Sequence, residues 1–395
     1  MAKRPLRFAL VVGEESGDQL GAGLIDALCR ARPDATFTGL AGERMQARGM
    51  VSVVPLSDVA MMGLSSVLRR LPRVVRSVYR LVDAVLQAEP DVLVIIDSPE
   101  LTHAVARRVA RRRPDLPIVD YVSPSVWAWR PGRAPRMRRY VDHVLALLPF
   151  EPEAHLRLGG PPCTYVGHPL IERLHELTPA PGERPPLGER PTLLVLPGSR
   201  RSEISRLMAP FGEAVRLIAE ARPGVEFLLP AVPHLEAEIR ARLAKWPHRP
   251  EIVRGEAEKF AAFRRAHAAL AASGTVSLEL GLAGVPTVIA YRIEPIARAL
   301  KPYVLKVPSF VLTNLVLGEN AVPEFLDDDG PPAVLARETL ALLSDTPARQ
   351  AQAAALRRLT DIMTLPDGAR PSDKAAEIVL DAAEHGWGRR KARLG

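Results

Sequence analysis

A chain of 395 residues with 47% hydrophobic residues is long enough for two domains, each burying its own core. Its two cysteines, Cys29 and Cys163, exclude a disulfide framework and a thiolate zinc site, and no run approaches the ~18 apolar residues of a membrane-spanning helix. The net charge of +8 favours anionic partners, but aromatics are only 5% of the chain and no basic run is interleaved with them, so no nucleic acid is expected.

The N-terminal MAKRPLRFALVVG contains a short apolar strand and no cleavage site, so no signal peptide is expected. Residues 6–12 read as a buried strand. The polar turn Gly13-Glu14-Glu15-Ser16-Gly17-Asp18 follows, and a helix then runs to Cys29. Such a start points loop amides to the carboxyl end of the strand, where α/β ligands bind, yet it is neither a dinucleotide fingerprint nor a P-loop. Residues 92–96 form a second buried strand ending in Asp97-Ser98-Pro99-Glu100. A carboxylate there is placed equally well for chemistry and for capping the next helix. The strand at 118–122 leads into SPSVWAWR, where Trp127 and Trp129 are expected to pack. Arg133, Arg136, Arg138 and Arg139 form a solvated basic face. Strands at 144–148 and 164–166 follow, and the lone His168 is expected to be structural. The segment TPAPGERPPLGERP at 178–191 is read as the interdomain linker.

The second half repeats the rhythm. A strand at 192–196 precedes the loop Pro197-Gly198-Ser199-Arg200 and a helix from about 202 to 221, with further strands at 225–229, 252–253 and 268–272. The Gly198-Ser199-Arg200 loop either offers amides and a guanidinium to a phosphate or is a plain surface loop. The strand at 268–272 turns through Ser273-Gly274-Thr275 into a helix at 276–283, and a strand at 287–291 closes the unit. The loop amides form a phosphate site or an N-cap, and Glu279, one turn on, suits ribose hydroxyls. Segments 333–343, 347–362 and 372–384 are helical, and the basic end at 388–395 is read as disordered. Asp327-Asp328-Asp329 is read as a solvated loop. With no HExxH, Cys/His cluster or nucleophile elbow, neither a cofactor nor an obligatory metal is expected.

These loops resemble those of the lipid-A-disaccharide synthase family: GEESGD at 13–18, YVSPSVWAWR at 121–130, LPGSRRSEI at 196–204, ASGTVSLE at 272–279, AYR at 290–292, and TNLVLG at 313–318 with PE at 323–324. The resemblance implies an α/β GT-B fold, two Rossmann-like domains with parallel sheets facing a central cleft. Residues 1–177 would form the acceptor and membrane side, 192–365 the UDP-sugar donor side, and 366–395 a C-terminal helix and basic tail. The implied reaction transfers the sugar of UDP-2,3-diacylglucosamine to the 6-hydroxyl of 2,3-diacylglucosamine 1-phosphate, with inversion, releasing UDP. Asp97 would then be the base and Arg200 would stabilise the leaving UDP. Ser199, Ser273, Gly274, Thr275, Glu279, Tyr291, Arg292, Asn314 and Glu324 would bind the donor, and Glu14, Ser16 and Gly17 would line the cleft from the first domain.

The family further implies a homodimer and a cytoplasmic location on the inner-membrane face. In residues 61–80, Met62, Leu64 and Leu68 lie among arginines, a pattern suited to shallow contact with acyl chains and anionic head groups. Pro72 is expected to split this stretch into a short helix and a longer one that packs as core. Two departures stand out: Thr102, where the family often has asparagine, and Asp327, where it usually has glutamine. The rival readings are another GT-B UDP-sugar enzyme, either an epimerase or a transferase with a soluble acceptor, and a non-catalytic UDP-sugar-binding scaffold.

Overall fold

The computed structural model describes residues 4–58, 64–188, 190–292 and 307–387, without the side chains of 58–74 and of Asp367. Among the described residues seven strands form the first sheet: β1 (Arg7–Val12), β2 (Thr36–Leu40), β3 (Val51–Ser52), β4 (Val92–Ile96), β5 (Ile118–Tyr121), β6 (His143–Ala146) and β7 (Cys163–Tyr165). Their order is β3-β2-β1-β4-β5-β6-β7, parallel throughout. The central strands β1 and β4 are almost continuous apolar runs because helices cover both faces of a parallel sheet. The order reverses between β1 and β4, with Val12 beside Ile96, so the loops after these two strands diverge and open a crevice at the carboxyl edge.

The second sheet contains β8 (Thr192–Leu196), β9 (Glu226–Ala231), β10 (Glu251–Arg254), β11 (Ala268–Ala272), β12 (Thr287–Tyr291) and β13 (Glu324–Leu326), in the order β10-β9-β8-β11-β12-β13. It too is parallel and reverses once, between β8 and β11. The loops after β8 and β11 are the two that the sequence offers to phosphate.

Two compact units result. Leu170–Thr364 forms one, and the described residues up to Pro169 together with those from Leu365 form the other. The chain therefore crosses between units at 169/170 and 364/365, and residues 178–191 lie within the second unit. That Pro-rich segment is anchored rather than free: the Arg184 guanidinium donates to the carbonyls of Phe263, Arg264, Ala283 and Gly284 at 2.7–3.2 Å. The C-terminal helix Pro371–His385 returns to the first unit. Its Ala375, Ala376, Val379 and Ala382 pack with Leu24, Ile25 and Leu28 of the helix Glu15–Ala31. Full burial of a side chain such as Val379 contributes about 1.5–3 kcal/mol.

The expected break at Pro72 is absent, because one helix runs unbroken over Leu64–Gln87. An interior proline costs roughly 3 kcal/mol. Packing of Val78, Leu81, Val82 and Val85 in the sheet-facing core offsets it. Met62 lies outside the described residues, and of Leu64 and Leu68 only the helical backbone is described. Among the described residues no helix is long and apolar enough to cross a membrane.

Candidate active site

Asp97 leaves β4 with φ of 56°, and Ser98 follows at 43°. Two successive non-glycine residues in the left-handed region cost about 1–3 kcal/mol each and persist only where their surroundings fix them. Here the Asp97 amide donates to Tyr121 O at 3.1 Å. The fully buried Thr102 hydroxyl donates to Asp97 O at 2.7 Å. Asp97 Oδ1 accepts from the Ser98 amide at 2.7 Å, and Oδ2 accepts from Ser16 Oγ at 2.9 Å. The carboxylate is thus aimed from both oxygens while each keeps a free lone pair. Thr102, the departure from the family pattern, serves as the pin beneath the turn.

The loop after β1 fits against this turn because two of its residues lack side chains. A Cβ on Gly13 would collide with Ser98 Cβ, and one on Gly17 would lie 3.2 Å from Ile96 O. Glu14 and Ser16 are exposed beside the turn, whereas Asp18 is buried and caps the chain at 42–45 by accepting from the amides of Gly42, Arg44 and Met45. Ser16, Gly17 and Asp97 are therefore brought together, and Asp18 is structural.

The tryptophan loop separates its two rings. Trp127 donates to Glu151 Oε1 at 3.1 Å and packs edge-on to Phe150, while Trp129 is 38% exposed with the Arg130 guanidinium 4.3 Å from its ring centre. Glu151 also accepts from the amides of Leu147 and Leu148, but complete burial dominates and pushes its carboxyl up to about 7. His168 is buried, and desolvation holds it down to about 4, so it is neutral at pH 7. Glu151 sits in no motif; a buried acid bonded to two backbone amides and an indole is visible only in three dimensions.

In the second unit, Arg200 stands at the N-cap of the helix Arg201–Ala221. The Glu203 carboxylate folds back to accept from the amides of Ser199 at 2.9 Å and Arg200 at 3.2 Å. Gly198, at φ of 117°, leaves room for it, since a Cβ there would overlap Glu203 Oε2. Those two amides are already taken, so the loop's contribution to an anion is the largely exposed Arg200 guanidinium, 3.7 Å from Glu203 Oε1. The loop after β11 differs. Among the described residues no protein group accepts from the Gly274 and Thr275 amides, and space around the Gly274 Cα is open. Glu279 lies on the following helix, Val276–Leu282, with both oxygens held by Lys259 Nζ at 3.0 and 2.9 Å. Lys259, 20 positions away, carries no sequence signal for this role; it fixes the carboxylate in one rotamer.

Ser273, Tyr291 and Glu324 line one cavity of about 190 Å³ together with Phe310, Phe325 and Asp329. Its wall is a relay: Ser273 Oγ donates to Phe310 O at 2.6 Å, and the Phe310 amide donates to Glu324 Oε2 at 2.8 Å. Asn314 is not among the lining residues. Its buried amide spends both ends on the Val322 backbone, at 2.8 Å each, which fixes the chain entering β13. Arg292 is half-buried at the end of β12. Asp327 stands at φ of 51° and is not in the cavity lining, whereas Asp329 is. Among the described residues no three His, Cys, Asp or Glu side chains come together as a metal-ligand set.

Comparison with known proteins agrees with this architecture. The calicheamicin glycosyltransferase CalG4 superposes with a TM-score of 0.61 at 17% identity, covering 96% of this chain and 98% of its own. UDP-GlcNAc 2-epimerase from Neisseria meningitidis, solved bound to UDP-GlcNAc, superposes with a TM-score of 0.60 at 12% identity, covering 95% and 99%. These likenesses establish the GT-B fold. Sequence separates the two classes. The lipid-A-disaccharide synthase of Nitrobacter hamburgensis is 52% identical over 95% of each chain, and that of Bradyrhizobium diazoefficiens is 51% identical over 96% of this chain and 97% of its own. The lipid-A-disaccharide synthetase family model matches residues 8–376, and with these relatives it shows that the chain belongs to that family.

Proposed function

We infer that the chain is a hexosyltransferase that joins UDP-2,3-diacylglucosamine to 2,3-diacylglucosamine 1-phosphate, giving the β-1′,6-linked disaccharide 1-phosphate and UDP. The family match over residues 8–376 carries this reading, in preference to the epimerase whose fold is similar. The residue roles are supported by the geometry. Asp97, aimed by Ser16 and Ser98, takes the proton of the acceptor's 6-hydroxyl. That oxygen attacks the donor's anomeric carbon opposite the diphosphate, and the electron pair of the breaking C–O bond leaves with UDP. Arg200 and the amides of Gly274 and Thr275 meet the charge that develops on the diphosphate. Glu279 accepts from the ribose, and Ser273, Tyr291 and Glu324 bound the adjoining cavity. Both substrates carry acyl chains, so the protein works at a membrane face, with Met62, Leu64 and Leu68 as proposed contacts and a homodimer as the proposed assembly.

The test is incubation of purified protein with both acylated substrates in detergent micelles, followed by mass spectrometry. The expected outcome is disaccharide 1-phosphate in equal yield with UDP. Release of UDP or epimerised sugar without disaccharide would overturn the reading.

A further inference from the structure

Beside the Asp97 turn the first unit carries a cavity of about 1070 Å³ that the roles above leave unused. Its charged lining is six arginines, Arg107, Arg111, Arg130, Arg133, Arg136 and Arg139, against one acid, Glu100. Glu100 Oε1 takes Arg133 at 2.6 Å and Arg130 at 3.2 Å. The other four arginines have no carboxylate partner among the described residues, although arginines elsewhere in the chain are commonly paired, as Arg4, Arg32, Arg173, Arg216 and Arg254 are. An arginine-rich composition explains many arginines but not unpaired ones gathered around one concavity, where like charges repel. The floor is fixed: His103 Nδ1 lies 3.0 Å from Tyr140 Oη, with the buried Asp120 carboxylate behind, 3.1 Å from His103 Nε2.

The helix Pro99–Arg112 supplies Pro99, Glu100, Arg107 and Arg111 and starts two residues after Asp97, so the cavity begins where the turn of the proposed base ends. The acceptor presents two polar features one sugar ring apart: the hydroxyl that must reach the base and a phosphate monoester carrying close to two negative charges at neutral pH. Guanidinium forks match phosphate oxygens in pairs. We propose that this arginine cavity is the binding site for the acceptor's sugar 1-phosphate and orients its 6-hydroxyl toward Asp97. The proposal rests on the transferase reading above.

The experiment compares the wild type with Arg107→Gln/Arg136→Gln and with Arg107→Lys/Arg136→Lys, using 2,3-diacylglucosamine 1-phosphate and its phosphate-free analogue as acceptors in neutral detergent micelles. The glutamine variant should keep its melting temperature and its KM for UDP-sugar. Its kcat/KM for the phosphorylated acceptor should fall about tenfold to a hundredfold, the scale of losing charge-assisted contacts. Its preference for the phosphorylated over the phosphate-free acceptor should shrink by the same factor, and the lysine variant should recover most of it. An unchanged preference in the glutamine variant overturns the proposal. So does a variant that differs only in sedimenting with phosphatidylglycerol vesicles, which would assign the cavity to a lipid surface. A wild type that forms no disaccharide would instead defeat the transferase reading itself.

Discussion

At the scale of residues, the candidate chemistry depends on a backbone conformation that few side chains tolerate. Asp97 sits at φ of 56°, and asparagine accepts that region as readily as aspartate does. Asp97→Asn should therefore keep the fold and the melting temperature while lowering turnover by roughly 10²–10⁴, measured as UDP release with both substrates present. Near-wild-type turnover would remove Asp97 from the role of base. Thr102→Val keeps the shape but leaves the carbonyl of half-buried Asp97 without its 2.7 Å donor. The expected loss is about 1–3 kcal/mol in denaturant unfolding, accompanied by a lower kcat as the turn relaxes. The strand-end position of Asp97 was legible in the sequence, because an apolar run followed by a polar turn marks the carboxyl edge of a sheet. Its partners were not: Ser16 and Thr102 reach it across 81 and 5 positions, and Lys259 reaches Glu279 across 20. Spacing in a chain says nothing about such pairs until the fold supplies the distance.

At the scale of elements, the central strands are readable in the sequence, whereas β2, whose TFTGL is only half apolar, and the short edge strands β3 and β13 are not. β3 has two residues and β13 three, too few for any periodicity to show; β13 exists because β12 offers it a parallel partner and Asn314 fixes its entry. In the sequence Gly13 reads only as part of a turn; its reason is the passage of Ser98 where a side chain would stand. Gly13→Ala should cost about 1–3 kcal/mol by overpacking and displace the Asp97 turn, so thermal stability and kcat should fall together. Glu151, at the start of the helix that follows β6, offers a pH test, because burial raises its carboxyl to about 7 from an ordinary 4.5. The folded protein then holds this proton more tightly than the unfolded chain. The stability it contributes is full below about pH 4.5 and is lost as pH rises through about 7, in all roughly 3 kcal/mol. Glu151→Gln cannot ionise, so its stability relative to wild type should improve steadily from about pH 5 to 7.5. A constant difference across that range would show that Glu151 does not titrate there.

At the scale of the whole molecule, the division into units followed the chain less simply than a Pro-rich segment suggested. Residues 178–191 resemble a linker in composition, yet Arg184 and Glu183 tie that stretch into the second unit through four carbonyls and Arg264. Composition reports what a segment is able to do when free and not whether something holds it. The first unit, conversely, is completed by the last described helix. A chain ending at Thr364 should keep cooperative melting of Leu170–Thr364, while the first unit, stripped of Ala375, Val379 and Ala382, should become protease-sensitive and lose its calorimetric transition. Survival of both transitions would show that the helix is an accessory. The same arrangement sets an order of events during synthesis. The second unit is fully translated before the piece that seals the first has been made. At ~5–20 residues per second the ribosome takes roughly 10–40 s to travel from Pro169 to His385. For that interval the apolar side of the helix Glu15–Ala31 waits without its cover, so the nascent chain is most exposed to misassociation at its oldest end.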